Sequence, residues 1–155
     1  MPLLRELRAG VLQGSQGSNS TLHRWVNESG GAFDVVIDDG SHMNSHMLKT
    51  FYVMWPQVNY GGLYVFEDMG VGRIPAWDDT NGKAVISDVI QGWAEQLSTN
   101  APARAGTIES YARSKDVRKR FPLPTGAAFV FCQEAACIVG KREAKTPRER
   151  HGLPY

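Results

Sequence analysis

Apolar positions along the chain fall into two patterns, helical spacings of three and four and short continuous runs, and each predicts an element. Val11-Leu12 is a brief apolar stretch that runs into a polar turn cluster, Gly14-Ser15-Gln16-Gly17-Ser18-Asn19-Ser20, which ends any strand there. Thr21 to Glu28 carries Leu22, Trp25 and Val26 on one helical face, and Gly30-Gly31 stops it. Ala32 to Asp39 contains three consecutive β-branched residues in a continuous apolar run, which predicts a strand buried on both faces, as in a parallel sheet. After a turn at Gly40-Ser41 comes a helix with Met43, Met47, Phe51, Met54 and Trp55 three or four residues apart, and Pro56 near its end. Gly61-Gly62 is expected to break the chain before a second buried strand, Leu63 to Phe66. Strand, helix and strand make one βαβ unit.

A Gly/Pro-rich loop from Met69 to Asn81 precedes the clearest helical period, Val85, Ile86, Val89, Ile90, Trp93 and Leu97. Residues 101–126 read as irregular, with a basic run from Arg113 to Arg120. Ala127–Cys132 and Cys137–Gly140 predict an antiparallel hairpin around Gln133-Glu134-Ala135-Ala136, and the charged residues from Lys141 onward a frayed tail. The class is α/β with an antiparallel pair at its end.

Composition narrows the function. A chain of 155 residues, 42% of them hydrophobic, suits one domain with its own core. A net charge of +1 argues against a nucleic-acid binder that works by bulk charge. The longest clean apolar run, Ala127 to Cys132, is far short of the ~20 residues of a membrane span. Charges among the first ten residues leave no signal peptide, so the expected compartment is the cytoplasm. Cys132 and Cys137 fit no zinc pattern and are expected to be buried small hydrophobes in a reducing setting. Oligomeric state stays open.

The chemistry lies at the strand ends. Each predicted parallel strand finishes in paired acids, Asp38-Asp39 and Glu67-Asp68, and 28 residues separate Asp39 from Glu67, about one βαβ repeat. Neighbouring strands lie ~4.8 Å apart, so these side chains can converge on one ion. Clustered acids repel one another unless a cation neutralises them. Oxygen ligands without cysteine favour magnesium, manganese or calcium over zinc. Acids that simply hydrate in loops would explain either pair alone; two pairs in register favour the metal. His42 suits a general base, although a first-turn histidine that bonds locally explains it equally well. His46, one turn later, could pair with it on zinc, but no third nitrogen or sulfur ligand is evident. The methionines read as core, the Arg113–Arg120 run as a solvated loop, and Gly70-Val71-Gly72 as too short for a dinucleotide fingerprint.

The stretch from Phe33 to His42, FDVVIDDGSH, followed by a helix and then GGLYVFED from Gly61 to Asp68, resembles the sugar O-methyltransferases of macrolide biosynthesis. It is also similar to their rhamnosyl O-methyltransferase and cephalosporin-hydroxylase-like relatives. The resemblance implies an S-adenosylmethionine-dependent class I methyltransferase: a partial doubly wound, Rossmann-like parallel sheet with a C-terminal antiparallel hairpin. Residues 1–142 would be the C-terminal part of such a domain and 143–155 a charged tail. It further implies that Asp39, Glu67 and Asp68 bind magnesium or another divalent cation and that His42 is the catalytic base. Ser15, Gln16 and Asp38 would contact the S-adenosylmethionine cofactor. The partner would be a small hydroxylated acceptor, a sugar first of all, with no nucleic acid and no membrane. A metal on the acceptor hydroxyl would stabilise the developing alkoxide while His42 takes the proton.

Class I methyltransferases open with a strand, a glycine-rich turn, a helix and a second strand whose acid holds the ribose. Nothing before Val11 supplies these, so the chain alone is expected to bind S-adenosylmethionine weakly or not at all and to be inactive. Two other readings stay open: a non-catalytic methyltransferase-like module for metal binding or interaction, and a metal-dependent hydrolase using the same acids around an activated water.

Overall fold

The computed structural model describes residues 10–80, 85–98 and 121–145. Helix α1 (Asn19–Ser29), strand β1 (Phe33–Asp38), helix α2 (Asn44–Met54) and strand β2 (Val58–Phe66) are followed by helix α3 (Ile86–Ser98) and strands β3 (Ala127–Gln133) and β4 (Ala136–Lys141). The strands form one sheet in the order β1-β2-β4-β3. β1 and β2 are parallel, as the βαβ reading requires, whereas β4 runs antiparallel to both β2 and β3. This mixed α/β sheet with a terminal hairpin is the expected class.

Local chemistry accounts for the element ends. The Ser18 hydroxyl accepts from the Thr21 amide to cap α1, and Gly30, at φ +82°, ends it in the left-handed conformation. The hairpin pairs Gln133 with Ala136 across a two-residue turn.

Several expectations need correction. Gly61-Gly62 does not break the chain: β2 runs straight through it. The register passes from Phe33↔Val58 to Val35↔Leu63, so five residues of β2 are set against two of β1. Gly61 has φ +78°, and a Cβ on Gly62 would lie 2.7 Å from the Asp34 carbonyl oxygen. The glycines therefore build a bulge with close backbone approach. Val11 is 94% exposed and residues 10–13 form no strand. The tail does not begin at Lys141, which ends β4; Arg142 still exchanges backbone hydrogen bonds with Gly126 and Gly61. The basic run 113–120 lies outside the described residues.

The cysteines differ most from expectation. Cys132 is exposed and is joined to Cys137 in a disulfide, because the β3–β4 register sets the two directly opposite each other.

The core is aromatic. The Phe51 ring lies 4.9 Å from Tyr64, 5.4 Å from Phe66 and 4.8 Å from Trp93, centroid to centroid. Leu22 of α1, Met47 and Met54 of α2, and Ile86, Val89 and Ile90 of α3 surround it, with Val139 of β4. Among the described residues nothing packs over the opposite face of the sheet: Val35 and Ile37 are 50% and 60% exposed, Phe129 and Phe131 45% and 56%. β1 is thus buried on one face only. Its second face meets no packed layer among the described residues, which the apolar run by itself could not reveal.

Candidate metal and base site

The parallel register opposes Asp38 to Phe66, and the Glu67 amide continues the ladder by donating to the Asp38 carbonyl at 3.1 Å. The acid-bearing ends of β1 and β2 therefore lie side by side, as their spacing predicted. Side chains alternate across a strand, so Asp38 follows Val36 toward the core while Asp39 follows Ile37 toward the open face. Asp38 is buried, and Asp39 is exposed.

Ligand atoms of Asp39, His42 and Asp68 all lie within 4.8 Å of one another. His42 Nε2 is 3.7 Å from Asp68 Oδ2, too long for a hydrogen bond, while its Nδ1 is buried without a partner. The two carboxylates offer the oxygen donors that suit a hard divalent cation, and the histidine stands beside them with one ring nitrogen unsatisfied. Glu67 is half-buried and lies outside that group, although it stands between β2 and Asp68.

The backbone at this site is strained. His42 has φ +55° and Asp68 φ +52°, values that side chains with a β-carbon rarely adopt. Each costs on the order of 1 kcal/mol and persists only where its surroundings hold it. Restraint at Asp68 is visible: its carbonyl accepts from Val71, and Met69 donates to the Ala135 carbonyl at the hairpin turn, 2.8 Å away. Buried Asn44 secures the loop that follows, donating to the Gly72 carbonyl and accepting from the Ile86 amide, both at 2.9 Å.

Asp38 has a different environment. Tyr64 donates to its Oδ2 at 3.0 Å and Gln16 Nε2 donates to its Oδ1. Burial pushes the Asp38 carboxyl above its usual value, against the lowering pull of those two bonds. Burial also pushes the Tyr64 phenol well up, so it remains a donor. Gln16 Oε1 accepts from the Ser41 amide at 2.8 Å. Ser15 Oγ accepts from the Gly17 amide at 3.3 Å. His46 does not join the acidic group; its Nδ1 is 2.9 Å from Ser41 Oγ.

Tyr64 and Asn44 were not singled out in the sequence. For Tyr64 a signal existed, since a tyrosine in a strand read as buried needs a partner for its hydroxyl.

No family model matches the chain. Over 72 residues it is 44% identical to the mycinamicin VI 2''-O-methyltransferase of Micromonospora griseorubida, covering 46% of this chain and 18% of that protein. Over 97 residues it is 48% identical to the L-olivosyl-oleandolide 3-O-methyltransferase of Streptomyces antibioticus, covering 59% and 25%. The chain thus spans about a fifth to a quarter of the length of these curated relatives. Among solved structures it is similar to the MycE methyltransferase of the mycinamycin biosynthetic pathway, in complex with Mg and SAH. That match has 26% identity and a TM-score of 0.63, and covers 90% of this chain and 34% of the other. A second structure of that enzyme, with Mg, SAH and mycinamycin VI, matches with 23% identity and a TM-score of 0.65 over 96% of this chain and 38% of the other, and supports the fold alone. The fold is therefore a methyltransferase fold, and the relatives are sugar O-methyltransferases, as the two motif segments implied.

Proposed function

We propose that this chain carries the metal-and-base part of an S-adenosylmethionine-dependent, divalent-cation-dependent O-methyltransferase that acts on a hydroxyl of a sugar or another small molecule. The convergence of Asp39, His42 and Asp68, drawn from the two segments that carry the family resemblance, supports the reading. Magnesium held there would supply Lewis-acid stabilisation of the acceptor oxygen as its proton leaves. Asp39 and Asp68 offer the nearest oxygens, and Glu67, one residue before Asp68, offers a third. His42 Nε2 faces this acidic group and would take the acceptor's hydroxyl proton, with bound S-adenosylmethionine supplying the methyl group. Asp68, beside that nitrogen, stabilises the imidazolium that results. The resemblance alone supports Ser15 as a cofactor contact, whereas Gln16 and Asp38 are hydrogen-bonded to each other.

Calorimetric titration with magnesium and manganese tests the metal site. We expect binding by the native chain and its loss in an Asp39→Ala, Asp68→Ala double variant; equal heats from the two would overturn the reading. In a protein containing this chain that transfers methyl groups, His42→Ala should slow turnover ~10²–10⁴-fold with acceptor binding little changed. A loss below tenfold with the fold intact would make His42 structural.

A further inference from the structure

We infer that Gln16 is a positioning residue: its carboxamide clamps the turn from Asp38 to Ser41 and so sets Asp39 and His42 for the cation. The family resemblance makes Gln16 a cofactor contact, and this role is a different one. The inference rests on the metal reading above.

Gln16 comes from the loop before α1, 22 positions from Asp38. Both ends of its amide are engaged, Nε2 on Asp38 Oδ1 and Oε1 on the Ser41 amide. These partners flank Asp39 and Gly40, so one side chain bridges the segment that presents the first carboxylate of the cluster. Gly40 belongs to the same device. A Cβ there would run into Gln16 Oε1 and come within 3.0 Å of the amide carbon, so only glycine lets the amide lie against the turn.

The rest of the turn is held from the other side. Tyr64 fixes the second oxygen of Asp38. Ser41 is held twice, by Gln16 at its backbone and by His46 at its hydroxyl. A Cβ on Gly17, next to Gln16, would collide with the His46 ring, so the loop packs flush on the residue that steadies Ser41. His42 follows directly in its positive-φ conformation. Partners outside the ligand set orient the ligands themselves, and their loss typically lowers metal affinity 10–100-fold.

The test is manganese titration of the whole chain alongside Gln16→Met and Gln16→Glu, with a melting curve for each in the absence of metal. Methionine keeps the volume and removes both bonds. Glutamate keeps an acceptor for Ser41 but sets a carboxylate against Asp38. Both should weaken manganese binding tenfold or more. Should Gln16→Met fail to fold, Gly40→Ala expels the amide with the glutamine still present, and the same tenfold loss is expected. A lowered melting temperature with unchanged manganese affinity would make Gln16 a mere loop anchor and overturn the inference. A native chain that binds no manganese removes the metal reading and this inference together; native binding with unshifted variants removes this inference alone.

Discussion

The two faces of the sheet carry the same kind of residue and meet different fates. On one, Tyr64, Phe66 and Val139 are fully buried in an aromatic core centred on Phe51. On the other, the register lines up Ile37, Val65, Ile138 and Phe131 across all four strands, and the two at the edges are more than half exposed. Apolar content does not separate the faces; the presence of a packed layer does. An apolar strand is fit for burial on both sides, and only its neighbours decide whether burial happens.

The comparison breaks most visibly at Phe51. Phe51→Ala removes the ring that Trp55, Tyr64, Phe66 and Trp93 all touch, and should cost about 3–5 kcal/mol in urea unfolding. A cost below 1 kcal/mol would mean that this face is not the source of stability.

Tyr64→Phe asks a finer question of the same face, since it keeps the ring and deletes only the donor to Asp38. Near neutral pH it should cost about 1–3 kcal/mol, the penalty of a buried acceptor losing its partner. Burial raises the Asp38 carboxyl above its usual value, so folding favours the protonated form. Any stability from that shift is fully present below the ordinary carboxylate range and fades as pH rises through the raised value. The Tyr64→Phe penalty should accordingly shrink in acid, which unfolding curves across pH would show. A pH-independent penalty would disconnect the hydroxyl from Asp38.

The smallest effect belongs to the open face. Ile37→Thr and Phe131→Thr keep β-forming side chains and should shift unfolding by no more than about 0.5 kcal/mol. A loss of 2 kcal/mol or more would show that something covers this face in solution.

The acid pairs repeat the lesson at the scale of the site. Asp38 and Asp39 are adjacent, identical in type and opposite in role. Period-two alternation dictates that they point to opposite faces, but not which face becomes the core. Tyr64 then makes Asp38 a buried anchor, and the open face leaves Asp39 to meet Asp68 and His42. The link from Gln16 to Asp38 had no local signal, because no periodicity spans 22 positions between a loop and a strand end.

The sequence by itself determined what depends on near neighbours. Helical spacing of apolar residues located α1, α2 and α3, and continuous apolar runs located the strands. Gly30-Gly31 marked the end of α1, and the spacing of two acid pairs placed two strand ends together. The FDVVIDDGSH and GGLYVFED segments pointed to a methyltransferase. Tertiary structure alone decided the bulge at Gly61-Gly62, the Cys132–Cys137 pairing, the uncovered face and the division of labour between Asp38 and Asp39. Each of these is set by register and by which elements pack on which, contacts between residues far apart in the chain that local propensity does not encode.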